Sequence, residues 1–111
     1  MFERKTQGAV DVISGSDRIS GDHVAELGEV FDACLKQGQP HVVLDLQGIA
    51  LIDGSGLELL LDAQERYQRM GGALKLANAA LLLREILKVT GVGVRFEIFG
   101  DARSAVRSFV L

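Results

Sequence analysis

The chain has 111 residues, 48% of them hydrophobic, and a net charge of −3. That is one domain's worth of sequence, too apolar and too weakly charged to be disordered. A lone cysteine excludes an internal disulfide, two histidines without ligand spacing exclude the common zinc arrangements, and the acidic balance argues against a direct nucleic-acid partner.

Residues 1–52 carry eight acidic and four basic groups, and residues 53–111 carry seven and eight, a mild acidic bias at the front. With no Trp and one Tyr, the core falls to Leu, Val, Ile and Ala, and 13 glycines imply many short turns. Met1–Lys5 leads into no apolar secretory segment, and no apolar run nears the ~20 residues that span a bilayer. The expectation is a cytoplasmic protein without membrane insertion, its residues 1–111 forming one domain.

Ala9–Ile13 alternates as a strand, with the possibility of another before it, and Ser14-Gly15-Ser16-Asp17 reads as a turn. Val24, Leu27, Val30, Phe31 and Leu35 fall on one helix face, ended by Gly38-Gln39-Pro40. Val42–Leu46, interrupted only by Asp45, is a buried central strand, and Gly48–Ile52 carries the chain on to Asp53-Gly54-Ser55-Gly56. Leu57, Leu60, Leu61, Gln64 and Tyr67 mark a second helix stopped by Gly71-Gly72. Ala73–Ala77 is a strand. Leu82, Leu83, Ile86, Leu87 and Thr90 form a third helix stopped by Gly91. Val94–Ile98 alternates as a half-exposed strand, and Ala102, Ala105, Val106 and Phe109 give a short last helix.

Strands alternating with helices imply an α/β fold: a mostly parallel sheet of four to five strands with about four helices. Functional residues in such sheets gather beyond the carboxyl ends of the strands, which draws attention to Asp53–Gly56 and Asn78–Ala80. Ser55 sits where a helix begins, between two glycines. There the free amides and the positive end of the dipole favour a negative group, a phosphate above all. Two readings are open at this point. Ser55-Gly56-Leu57-Glu58 fits the S-x-x-E capping box, in which Ser55 caps the helix and Glu58 reaches back. Alternatively the serine is presented to a partner.

Catalytic patterns do not fit. A nucleophile elbow needs glycines where Asp53 and Leu57 stand, with a histidine after the serine, whereas His23 and His41 precede it. No phosphate-binding P-loop is present, and Gly54/Gly56 and Gly91/Gly93 lack the third glycine of a dinucleotide fingerprint. Ser55 as an enzyme nucleophile would lack a base, and a nucleotide sensor would lack anything to read a base.

Several stretches together resemble the STAS domain of anti-sigma factor antagonists and of sulfate transporters. The apolar strand ending in Asp45-Leu46 and the Ile52-Asp53-Gly54-Ser55-Gly56-Leu57 loop carry the signature, with Gly54 in place of the commoner serine. Gly71-Gly72, Leu76-Ala77-Asn78, Leu87–Gly91 and Phe96–Phe99 followed by Asp101–Ala105 continue it in order. Near the front, Asp17 is shifted from the family's Gly-x-Leu-Asp pattern. The resemblance implies a bacterial STAS fold without enzymatic activity or cofactor. It implies that Ser55 is the phosphoacceptor, with Asp53, Gly54, Gly56, Leu57 and Asn78 supporting the site and the partner surface. The implied partner is an anti-sigma factor with serine kinase activity, bound while Ser55 is unphosphorylated so that a sigma factor is released, and a phosphatase would reset the switch. The alternative on the same fold is an accessory subunit of an ABC-type lipid transporter, bound to its ATPase.

Other residues read more plainly. Cys34 lies among core positions, and His41 is expected as a solvated turn residue. His23 falls in a first helical turn capped by Ser20 or Asp22. Of Leu81-Leu82-Leu83, one leucine should point away from the core, either as a partner surface or wedged between elements. Asn78 either bonds the neighbouring loop or simply ends its strand, and Arg66, Arg69, Arg84, Lys88 and Arg95 are solvated charges.

Overall fold

The computed structural model describes residues 1–35 and 38–110. Strands β1 (Phe2–Gln7) and β2 (Val10–Gly15) pair antiparallel. From β2 onward the main sheet is parallel, through β4 (His41–Asp45), β6 (Ala73–Ala77) and β7 (Ile98–Phe99), in the order β1-β2-β4-β6-β7. Four helices accompany it: α1 (Asp22–Cys34), α2 (Gly54–Arg69), α3 (Leu81–Thr90) and α4 (Ala102–Val110). The five strands and the largely parallel pairing agree with the pattern of the sequence.

Side-chain alternation along β4 explains how the sheet is covered. Val42 and Leu44 enter a large core with Leu27 and Phe31 of α1, Leu60 and Tyr67 of α2, and Leu83 and Leu87 of α3. Val43 points the other way, into a small cluster with Val10, Val12, Ala77 and Ala105 under α4. Both faces of β4 are therefore dry, which is why its sequence is continuously apolar rather than alternating. Cys34 is buried in the large core, as expected.

Two segments expected as connections are strands. Ser14 and Gly15 belong to β2, and Asp17–Ile19 forms β3 instead of completing a turn. Ile49–Ile52 forms β5, and β3 and β5 pair parallel in a separate two-stranded sheet. Their union depends on a close crossing: the Asp17 amide donates to the Gly48 carbonyl (3.0 Å), and a Cβ on Gly48 would strike the Gly15 carbonyl. Local composition there resembles a turn because the pairing partners are distant in sequence. In consequence the stretch that delivers the chain to Asp53 is itself a strand, β5.

The expected strand over Val94–Ile98 shrinks to Ile98–Phe99, because Val92–Arg95 winds into a 3-10 helix. Gln64 fills the gap left at the edge of β6. Its carboxamide oxygen accepts from the Leu74 amide (2.7 Å) and its nitrogen donates to the Arg95 carbonyl (2.8 Å). A glutamine on an otherwise apolar helix face was the sequence's signal for this, since a buried amide must find partners.

Two smaller expectations also change. Helix α1 starts at Gly21 with no side-chain cap, so neither Ser20 nor Asp22 plays that part, although His23 does sit in the first turn. His41 opens β4 and stacks on the Phe109 ring at 4.9 Å, so it is no solvated turn residue. Lys75 is buried within β6, its ammonium 3.0 Å from Glu97, 2.8 Å from the Ser108 hydroxyl and over the Phe109 ring. Those partners offset the cost of taking a charge out of water.

Candidate functional site

The site is assembled where β5 ends and α2 begins. Asp53 is the N-cap of α2: its backbone is extended, and its Oδ1 accepts from the Gly56 amide at 2.9 Å. The capping box expected from Ser55 and Glu58 is thus not how this helix starts. Aspartate performs the cap two residues earlier, placing Ser55 inside the first turn. Freed from capping, the Ser55 hydroxyl donates to the same Asp53 Oδ1 at 2.7 Å and is exposed to solvent. The bond fixes the direction of the O–H on an exposed residue. An electrophile approaching from solvent meets an oriented alcohol beside the positive end of a helix.

The two glycines serve different ends. A Cβ at Gly54 would meet nothing within 4 Å. A Cβ at Gly56 would lie 2.5 Å from the Ile19 carbonyl and 2.8 Å from Ile52 Cγ2. Gly56 therefore lets α2 press directly on the β3–β5 sheet, and the Asp53 amide completes the seam by donating to the Ile19 carbonyl at 3.3 Å. Leu57 follows in the core and anchors the turn from beneath.

Asn78 ends β6 with a left-handed backbone, φ 59°. Its side-chain amide donates to Asp45 Oδ1 at 2.9 Å, an oxygen that also takes the Gln47 amide at 3.1 Å. Of the two roles considered for Asn78, it ends its strand, and its side chain bonds the last residue of β4 instead of a loop. Asn78 thus ties β6 to the end of β4, and the bond is not to the Asp53–Ser55 pair. Asp53, Ser55 and Gly56 form one hydrogen-bonded unit, while Asn78 belongs to the scaffold beside it.

Hydrogen bonds from the Gly56 amide first, then from the Ser55 hydroxyl, hold the Asp53 carboxyl below its ordinary range. Accepting the hydroxyl's hydrogen bond, the Asp53 carboxylate orients the Ser55 O–H. The sign of the linkage follows. Asp53 contributes its stability above the unfolded pKa of about 3.9 and loses it as pH falls through the lower folded value. Asn also caps helices well but does not titrate. Asp53→Asn should therefore match the parent near neutral pH and show a smaller fall in melting temperature below about pH 4. Identical acid profiles for the two proteins, measured by circular dichroism, would contradict this role.

Leucine exposure exceeds what the sequence suggested. Leu83 is buried, but Leu81 and Leu82 both face solvent, at 85% and 57%. Arg66 is not simply solvated, since it bonds Asp32 across α1 and α2 at 2.8 Å. Among the described residues, no group of three or more His, Cys, Asp or Glu is placed to hold a metal ion, and no helix is long and apolar enough to cross a membrane.

Residues 2–99 match the family model described as "Mlab, STAS domain". The chain belongs to the STAS family. Solved structures of STAS proteins share its fold at low identity. An anti-sigma-factor antagonist (STAS) domain protein from Planctomyces limnophilus superposes with a TM-score of 0.87 at 20% identity, covering 99% of this chain and 98% of that one. The Bacillus cell fate determinant SpoIIAA in its phosphorylated form gives 0.76 at 16% identity, covering 98% and 99%. A sulfate transporter family protein from Wolinella succinogenes gives 0.80 at 18% identity, covering 94% and 87%. No curated protein matches the chain. The STAS fold thus joins this chain to antagonists and to transporter-associated domains alike, and helix α4 lies beyond the residues that the family model spans.

Proposed function

We propose that this STAS protein is an anti-sigma factor antagonist: a cytoplasmic binding module, not an enzyme, switched by phosphorylation of Ser55. Unphosphorylated, it holds an anti-sigma factor with serine kinase activity, and a sigma factor is released. Phosphorylated, it lets go, and a phosphatase resets it. One observation carries the reading: the Ser55 hydroxyl is exposed at the start of α2, oriented by Asp53 and not consumed as a helix cap. A phosphoryl group transferred to that oxygen adds about −1.5 to −2 charges. The helix start tolerates the added charge, whereas a partner packed on the hydroxyl does not. ATP and magnesium belong to the kinase, so the chain itself needs no cofactor.

The test is direct. Incubation with the candidate anti-sigma factor and ATP should add one phosphate, located at Ser55 by mass spectrometry and absent from Ser55→Ala. A phosphate elsewhere, or none while the anti-sigma factor phosphorylates another antagonist, would overturn the switch.

A specific observation supports a second reading. The matching family model is named for Mlab rather than for an antagonist. On that reading the chain is an accessory subunit bound to the ATPase of an ABC-type lipid transporter, and Ser55 is a contact residue. Tight binding to such an ATPase without phosphate at Ser55 would favour it.

A further inference from the structure

Between α3 and the 3-10 helix lies a groove of about 320 Å³, lined by Arg84, Leu87, Lys88, Gly93, Val94 and Ile98. Its floor is apolar. Val94, one of its lining residues, is 87% exposed. Gly93 makes the concavity possible, since a Cβ there would approach Leu87 Cβ to 3.2 Å.

Charge and strand order decide what fits. Arg84 and Lys88 stand four residues apart on α3 and flank the groove, and no carboxylate is among its lining residues, although the whole chain is acidic at −3. The Arg84 Nε is held by the Ala79 carbonyl at 3.0 Å, so that cation has a fixed place. Ile98 belongs to β7, which ends the sheet order and has a strand on one side only. A free sheet edge beside an apolar trough accepts an extended or helical segment with alternate side chains inserted. A flat bilayer cannot enter a concave trough, but a protein segment can.

We propose that this groove is a second docking site, taking a short partner segment whose apolar side chains fill the trough and whose Asp or Glu residues pair with Arg84 and Lys88. It lies along the second half of α3 and shares no lining residue with the Asp53–Gly56 turn, and it works whatever the phosphorylation state of Ser55.

A display library of random short peptides, panned on the whole chain, tests this. Enriched peptides should combine Leu, Ile or Phe with Asp or Glu, shift the backbone amide signals of residues 84–98, and bind less tightly as ionic strength rises. Lys88→Glu and Val94→Asp, both at exposed positions, should each weaken them about tenfold or more with the melting temperature unchanged within a few degrees. Ser55→Asp should bind them as the parent does. Enrichment of neutral or basic peptides, signals shifting elsewhere, or indifference to both groove variants would overturn the proposal. So would loss of binding in Ser55→Asp, or a groove closed by a second copy of the chain whose dimer Val94→Asp dissolves. Binding of the parent to anionic vesicles, lost in both groove variants, would assign the surface to a membrane instead and equally overturn it.

Discussion

Ser55→Asp should reduce binding of the anti-sigma factor about a hundredfold or more while leaving the melting temperature within a few degrees of the parent. The two halves of this result have one origin. Residue 55 lies in the first turn of α2, where a negative charge interacts favourably with the helix dipole by about 0.3–1 kcal/mol. Repulsion from Asp53, whose oxygen accepts the present hydroxyl bond at 2.7 Å, works against that gain, so the folded state changes little. In the complex the balance is different. A partner covering Ser55 would remove a carboxylate from water with a second carboxylate, Asp53, beside it. An uncompensated buried charge costs about 3–5 kcal/mol, and each ~1.4 kcal/mol is tenfold in affinity. Isothermal titration with the parent, Ser55→Asp and Ser55→Ala separates charge from loss of the hydroxyl. Equal affinity of Ser55→Asp and parent would remove the switch, and a collapse in melting temperature would show that the fold, and not the interface, had failed.

Gly56→Val should lower the melting temperature by about 10 °C, whereas Gly54→Ser should leave it nearly unchanged. The two glycines flank the same serine and look equivalent in the sequence. Their surroundings differ: Gly54 faces open space, while a Cβ at Gly56 would lie 2.5 Å from the Ile19 carbonyl and 2.9 Å from Ile19 Cγ2. A carbonyl paired across β3 and β5 cannot swing aside cheaply, so α2 must lift from the small sheet. Overpacking of this kind costs about 1–3 kcal/mol, and the upper end applies because the obstacle is backbone. Lifting also stretches the Asp53–Gly56 cap bond and disturbs the orientation of Ser55, so phosphate acceptance should fall in Gly56→Val and persist in Gly54→Ser. Thermal melts of the two variants give the answer, and equal melting temperatures would contradict the assigned close approach.

These glycines show where sequence reading stops. The repeated order of strand and helix, the buried Val42–Leu44 run and the amphipathic faces of the four helices were all legible. Each is set by residues adjacent in the chain. The choice of Ser55 was legible through its position at a helix start and through the STAS resemblance. Who caps that helix was not. Ser55-Gly56-Leu57-Glu58 and an aspartate cap at Asp53 are both sound local solutions. The extended backbone at Asp53, set by β5 and the Ile19 carbonyl, selects the second.

The sequence by itself determined a mildly acidic α/β domain with a serine at the mouth of an apolar helix, because hydrophobic periodicity and turn chemistry act over a few residues. Only the tertiary structure decided that Asp17–Ile19 and Ile49–Ile52 are strands, that Gln64 stands in for a missing strand at β6, and that Asp53 leaves the serine hydroxyl free. In each case the deciding contact joins backbone or side-chain groups brought together by the fold. A buried amide or carboxylate takes whichever partner the packing places within about 3 Å.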